Sequence, residues 1–218
     1  DTGVEWQAME ASRIRPNLWR CDMGEAVHVL RLVGRASSLS GVWHAAGVLA
    51  DAVLPDHDAS GCARVFAPRA PWAWSLHSAG ATSAMDAVAL FSSVAALLGG
   101  AGQANYAAAN ACLDALAASR HMHGVAAASV QWGAWAEVGM AARGAASERM
   151  AAMEAASGFG RIGLAQGLGA LGTAVQHGSA AVLGMVPVTW SRFLGAGKVP
   201  AFLSAFPSKD KSASTVGP

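Results

Sequence analysis

Between Asp86 and Asp114 the chain carries no charged side chain, and this stretch decides between two kinds of fold. By charge alone it could cross a membrane, which takes roughly 20 mostly apolar residues. It also contains Ser92, Ser93, Gln103, Asn105, Tyr106 and Asn110, with Gly99, Gly100 and Gly102 near its middle. Those polar groups are costly in lipid. A buried strand over Ala84–Ser92, a glycine turn over Gly99–Gly102 and a buried helix over Asn105–Arg120 accommodate them better.

The flanking sequence alternates in the same way. Strands are expected over Asn17–Cys21, Ser40–His44, Ala126–Trp132 and Ala180–Val188, with helices over Glu25–Leu32, Ser60–Gly80 and Leu164–Gln176. Pro68 and Pro71 should kink or break the second of these helices. Ala134–Gly160 is weakly periodic and reads as a mobile lid. Alternation of this kind predicts a parallel α/β sheet, and 218 residues suffice for one domain with a real core. The net charge of +1, with Lys and Arg scattered, gives no footprint for nucleic acid or an anionic membrane. Cys21, Cys62 and Cys112 are odd in number and far apart, as in reduced, buried thiols of a cytoplasmic protein. The chain starts at Asp1 without a signal segment and ends in a polar linker-like tail, Ser208–Pro218. It is read as cut from a longer polypeptide.

The chemistry concentrates in LFSSVAALLGGAGQANYAAANACLDALA, Leu90–Ala117. Ser93 lies at the end of the buried strand, Tyr106 opens the helix, and Asn110 follows four residues later on the same face. Both helical residues should point to the C-terminal edge of the sheet, where open α/β sheets bind ligands. Hydride delivery to a ketone builds negative charge on oxygen. A phenol can donate its proton there and a serine hydroxyl can hold the carbonyl. A tyrosine with an ordinary pKa near 10 needs a neighbouring cation for this near neutral pH.

The block resembles the short-chain dehydrogenase/reductase family, in particular the ketoreductase domains of modular type I polyketide synthases, which carry FSS, a glycine turn and GQxxYAAANxxLDALA. The resemblance covers roughly residues 16–200. It implies a Rossmann-like doubly wound parallel sheet, incomplete on its N-terminal side, with a domain over 1–200 and a linker or tail over 201–218. It implies NADPH-dependent reduction of a carrier-protein-bound β-ketoacyl thioester to the β-hydroxyacyl thioester, in polyketide or fatty acid biosynthesis. The partners implied are an acyl carrier protein domain and other synthase domains of the same polypeptide. By the same resemblance Ser93 orients the carbonyl, Tyr106 donates the proton and Asn110 supports the site. Arg69 stands where the family pattern has a lysine; it keeps the charge but not the geometry. Asp22 and Met23 match the adenine contact, Ala45, Ala46 and Gly47 the strand end passing the ribose, and Trp132 and Gly133 the loop against the nicotinamide. Asp51, in Leu49-Ala50-Asp51, falls on the final Asp of a Leu-Asp-Asp motif of B-type reductases. The tryptophan of the opposite subtype would fall at Leu98, and the proline of epimerising members at Ala108. A non-epimerising B-type reductase is therefore expected.

Singly, these residues have ordinary readings. Ser93 fits a strand-end serine bonded to backbone, Asp22 and Asp51 fit turns or caps, and Arg69 fits a surface helix position. His121 and His123 lack a third ligand and read as a solvated helix end rather than a metal pair. Upstream of Pro16 there is no glycine-rich phosphate loop, which a dinucleotide site requires. Arg69 and the missing loop favour a second reading, an inactive ketoreductase remnant that scaffolds neighbouring domains. Hydrolysis through Ser93 lacks a G-x-S-x-G elbow, and an epimerase would want lysine at Asn110. A parallel sheet without its first strands should expose edges and apolar faces, so aggregation of the isolated chain is expected.

Overall fold

A computed structural model describes residues 19–22, 24–35, 39–78, 85–137, 154, 156–195 and 199–206. Among these, four parallel strands form one sheet in sequence order: β1 (Gly41–His44), β2 (Ala87–Ser93), β3 (Ala128–Trp132) and β4 (Val182–Met185). The pairings Trp43 with Ala89, Phe91 with Val130 and Gln131 with Gly184 fix the register. Parallel neighbours require crossovers, and helices supply them. After α1 (Ala26–Arg35), α2 (Ala59–Phe66) and α3 (Ala70–Ser78) join β1 to β2. A short α4 (Ala95–Leu98) and the long α5 (Ala104–Met122) join β2 to β3, α6 (Leu164–Ala174) precedes β4, and α7 (Trp190–Leu194) follows it.

Side-chain alternation along the strands builds a core on each face. Val88 and Leu90 of β2 pack with Val29 of α1, Trp72, Ala73 and Leu76 of α3, and Leu113, Leu116 and Ala117 of α5. Ala128, Val130 and Trp132 of β3 face the other way, toward Phe91, Ile162 and Ala174. The intervening Ser129 and Gln131 meet α5, where the Asp114 carboxylate accepts from the Ser129 hydroxyl at 2.6 Å and the Gln131 amide at 2.8 Å. Helices on both faces make this the Rossmann-like doubly wound sheet. None of the described helices is long and apolar enough to cross a membrane.

Several expected elements come out differently. Residues 19–22, which include the described part of the expected Asn17–Cys21 strand, form no strand, and 17 and 18 lie outside the described residues. The single helix expected over Ser60–Gly80 is two. Asp58 caps the first, accepting from the Gly61 amide at 2.6 Å, and the break falls at Pro68, which has no amide to donate. Pro71 is tolerated in the first turn of α3. The three thiols are free, but none is buried: Cys21 and Cys62 are half-buried and Cys112 is exposed. Residues from 201, expected as linker, still pack: Leu203 is buried, and Phe206 stacks on Trp190 at 3.8 Å. Most of the expected lid and the whole tail from Ser208 lie outside the described residues. Trp43 on β1 and Val27 and Leu30 on α1 are exposed apolar side chains, the kind of surface expected of an incomplete sheet.

His44 ends β1 in a closed environment, 2% exposed and tilted against the Trp72 ring at 4.0 Å. Burial, reinforced by the Arg69 charge, lowers its pKa from 6.5 to about 4, while a hydrogen bond to the Arg69 backbone works in the opposite direction. The unfolded chain therefore takes up a proton near pH 6.5 that the folded chain refuses until about pH 4. Stability is full above pH 6.5 and declines as the pH falls toward 4, by on the order of 3 kcal/mol. Urea unfolding across this window should show the decline in the parent and not in His44→Gln. Replacing Asp114 by alanine removes the acceptor of two β3 side chains. The same measurement at neutral pH should show a loss of about 2 kcal/mol, partly restored by Asp114→Asn.

Candidate active site

The strands deliver their C-terminal ends to one edge, and the residues after them form the site. Ser93 ends β2, Trp132 ends β3, and Ala45, Ala46 and Gly47 follow β1. The helix α5 begins at the same edge, carrying Tyr106 and Asn110 in its first two turns.

Arg69, between α2 and α3, is the central side chain. It is 3% exposed, not the surface arginine of the ordinary reading. One terminal nitrogen, Nη1, donates to Asn110 Oδ1 at 2.9 Å and, more weakly, to the Phe91 carbonyl at 3.4 Å. The guanidinium lies over the Tyr106 ring, 4.5 Å from its centroid, a cation–π contact strengthened by exclusion of water. Its other side rests on Gly47, where an added Cβ would collide with the guanidinium. Burial holds the Arg69 pKa below the usual arginine value, and contact with Tyr106 works in the opposite direction. Arginine remains a cation under such shifts.

Asn110 is fully buried and uses both ends of its amide: Oδ1 accepts from Arg69, and Nδ2 donates to the Tyr106 carbonyl one turn earlier at 2.8 Å. The spacing of four that places two residues on one face thus also lets Asn110 orient the cation under Tyr106. Ser93 is on the same edge, half-buried, its hydroxyl accepting from the Ala95 amide at 3.2 Å. The structure brings Arg69, Tyr106 and Asn110 into contact; the bond recorded for Ser93 is to its own turn.

The loop after β1 is clamped to the turn before Tyr106. Asn105 donates from Nδ2 to the Ala50 carbonyl at 2.9 Å and accepts the Tyr106 amide at 2.7 Å. Gln103 Nε2 donates to both oxygens of Asp51 at 3.3 and 3.5 Å. The Ala52 amide donates to the Gly102 carbonyl at 2.9 Å, with Gly102 at φ +74°, a conformation that favours glycine. Asp51 is thereby fixed relative to Tyr106. Gln103, Asn105 and His44 were not singled out from the sequence. The first two lay inside the GQxxY run and the third inside HAAGVL, where spacing does not disclose side-chain partners.

The residues assigned to the cofactor divide. Asp22 makes a local turn, Oδ1 accepting from the Gly24 amide at 2.9 Å; Met23 lies outside the described residues. Ala45 and Ala46 offer small side chains at the sheet edge. Gly133 donates its amide to Met185 at 2.8 Å, and a Cβ there would press on Val186. Trp132 is packed between Phe91 at 5.6 Å and Trp135 at 4.9 Å, its indole nitrogen buried without a partner among the described residues.

Comparison with known proteins bears on this arrangement. A family model described as the KR domain matches residues 3–137. The chain is 41% identical over 198 residues to polyketide synthase GfsA of Streptomyces halstedii, covering 89% of this chain and 2% of that protein. Against GfsB of the same organism it is 40% identical over 202 residues, covering 91% and 3%. Among solved structures, an A-type ketoreductase from a modular polyketide synthase superposes with a TM-score of 0.83 at 32% identity, over 94% of this chain and 44% of that one. The first ketoreductase of the tylosin synthase gives 0.69 at 36%, over 80% and 37%. The chain thus spans a small fraction of its curated relatives and less than half of these solved ketoreductases. With the family's fold and a buried Arg–Tyr–Asn cluster at the sheet edge, the chain belongs to the KR domain family, as part of a ketoreductase domain of the modular polyketide synthase type.

Proposed function

We propose that this chain forms the catalytic part of an NADPH-dependent ketoreductase acting on a β-ketoacyl thioester held by an acyl carrier protein, within a multidomain cytoplasmic synthase. The observation that carries the reading is the buried Arg69 guanidinium lying over Tyr106 and held by Asn110. NADPH, when bound, supplies the hydride. Ala45, Ala46, Gly47, Trp132 and Gly133 are the residues that would hold its nicotinamide end: Ala45 and Ala46 put small side chains at the sheet edge, and the Trp132 indole nitrogen is a buried donor without a partner among the described residues. The phosphate end has no counterpart in this sequence.

In this reading Ser93 donates a hydrogen bond to the substrate carbonyl and orients it. Tyr106 gives its phenolic proton to the same oxygen as negative charge develops there. Arg69 stabilises the phenolate left behind, and Asn110 keeps Arg69 in place. Asp51, pinned by Gln103, sets which face of the ketone is presented, and B-type stereochemistry follows from the Asp at that position.

A second reading, a scaffold without turnover, is favoured by Arg69 itself. The wedge of its guanidinium against Gly47 puts a bulky group where the family pattern has a slender lysine.

The decisive assay is NADPH oxidation with a β-ketoacyl thioester, using this chain extended upstream through a phosphate loop, beside Tyr106→Phe and Arg69→Lys. Turnover that drops by about 10²–10⁴-fold in Tyr106→Phe is expected, with the parent active. Turnover only in Arg69→Lys would put the scaffold reading first.

A further inference from the structure

The chain leaving β1 runs along the site without helix or strand over residues 45–53. Gly47 lies against the Arg69 guanidinium, Ala50 packs in the cluster that contains Tyr106, and Ala52 meets Gly102. Residues 47–52 thus form one wall of the site, beside the tyrosine. Among the described residues, the hydrogen bonds of this wall all go to residues 102–105.

Those bonds are unequal. Gln103 meets the Asp51 carboxylate at 3.3 and 3.5 Å in an exposed place, where water competes for both groups. The Ala52 amide donates to the Gly102 carbonyl at 2.9 Å. Asn105 is 5% exposed. Its Nδ2 donates to the Ala50 carbonyl at 2.9 Å and its Oδ1 accepts from the Tyr106 amide at 2.7 Å. Both bonds belong to one planar amide, so a rigid group spans the wall and the backbone of Tyr106.

A prochiral ketone gives one alcohol or its mirror image according to which face meets the hydride. If the carbonyl oxygen is held at Tyr106 and the hydride comes from a fixed place, the faces exchange only when the two carbon substituents trade places. One of the two must lie against the wall. A wall at a fixed distance admits one arrangement, and a wall free to retreat admits both. We propose that Asn105 is the positioning residue that sets product configuration, by holding residues 50–52 at a fixed distance from Tyr106. This rests on the reading of Tyr106 as the proton donor. It also places the Asp51 carboxylate, which acts only from backbone that Asn105 holds.

Asn105→Asp isolates the cross-link. In the first turn of a helix the carboxylate stays ionised; it still accepts from the Tyr106 amide but has no proton to give Ala50. Asn105→Ser keeps a small acceptor and is too short to reach Ala50. Each is compared with its parent in the ketoreductase extended upstream through a phosphate loop. The share of the minor hydroxyacyl product should rise by about tenfold, with KM raised and kcat largely kept. A variant that merely folds less well would lose turnover and keep the parental ratio. Amide hydrogen exchange adds a readout that needs no turnover. The Ala52 amide should exchange about tenfold faster in both variants, while amides of β2 and β3 exchange as in the parent. A parental product ratio, or parental exchange at Ala52, in either folded variant overturns the proposal. Should Asn105→Asp fail to fold, Asn105→Ser decides. An extended parent without turnover would overturn the ketoreductase reading instead, and the exchange at Ala52 would then decide the clamp alone.

Discussion

A cation buried without a carboxylate partner among the described residues is the constraint around which this site is organised. Removing a guanidinium from water is expensive, and an opposite charge is the usual remedy. Arg69 is instead surrounded by the Asn110 amide oxygen, the Phe91 carbonyl and the face of Tyr106. These are dipoles and a quadrupole, weaker singly than a carboxylate. They hold the cation only if all are correctly placed at once. Because they come from the end of β2 and from α5, while Gly47 bounds the other side from the end of β1, the site forms only when the sheet edge is assembled. A carboxylate in their place would neutralise the charge that a reductase tyrosine needs; neutral acceptors leave it available.

The second organising contact is the clamp between residues 50–52 and 102–106. It uses one backbone pair, one buried asparagine and one exposed carboxylate–amide pair. The buried members set the distance between the loop and the first turn of α5, and Asp51, bonded to Gln103, faces solvent at the edge. Rigid backbone with a solvent-facing carboxylate suits a group that must be in a fixed place yet respond to what binds.

Much of this was legible in the sequence, for identifiable reasons. The uncharged run from Asp86 to Asp114 could satisfy its polar groups only as strand, turn and helix, and β2 and α5 follow it closely. Spacing placed Tyr106 and Asn110 on one face because helical geometry leaves no alternative. Spacing could not show that Arg69 is buried, since position 69 lies in a break between helices whose direction depends on Pro68 and on the packing of Trp72. Nor could it show that Asn105 bonds across 55 residues to Ala50, or that His44 turns inward against Trp72. Each of these depends on a tertiary neighbour that no local pattern names. The strand expected at 17–21 illustrates the reverse case: Leu18, Trp19 and Cys21 suggest a strand locally, yet its described residues 19–21 pair with no strand among those described.

The close approach of Arg69 to Gly47 has a consequence for how such a site can change over time. The space that admits the guanidinium is the space a side chain at position 47 would need. A larger residue at 47 would therefore have to displace the guanidinium, although the two positions are far apart in sequence. Any such displacement is felt at Asn110 and Tyr106, which hold the same group from the other elements. The backbone after β1 and the side chain at 69 thus share one volume, and a change in either is a change in both.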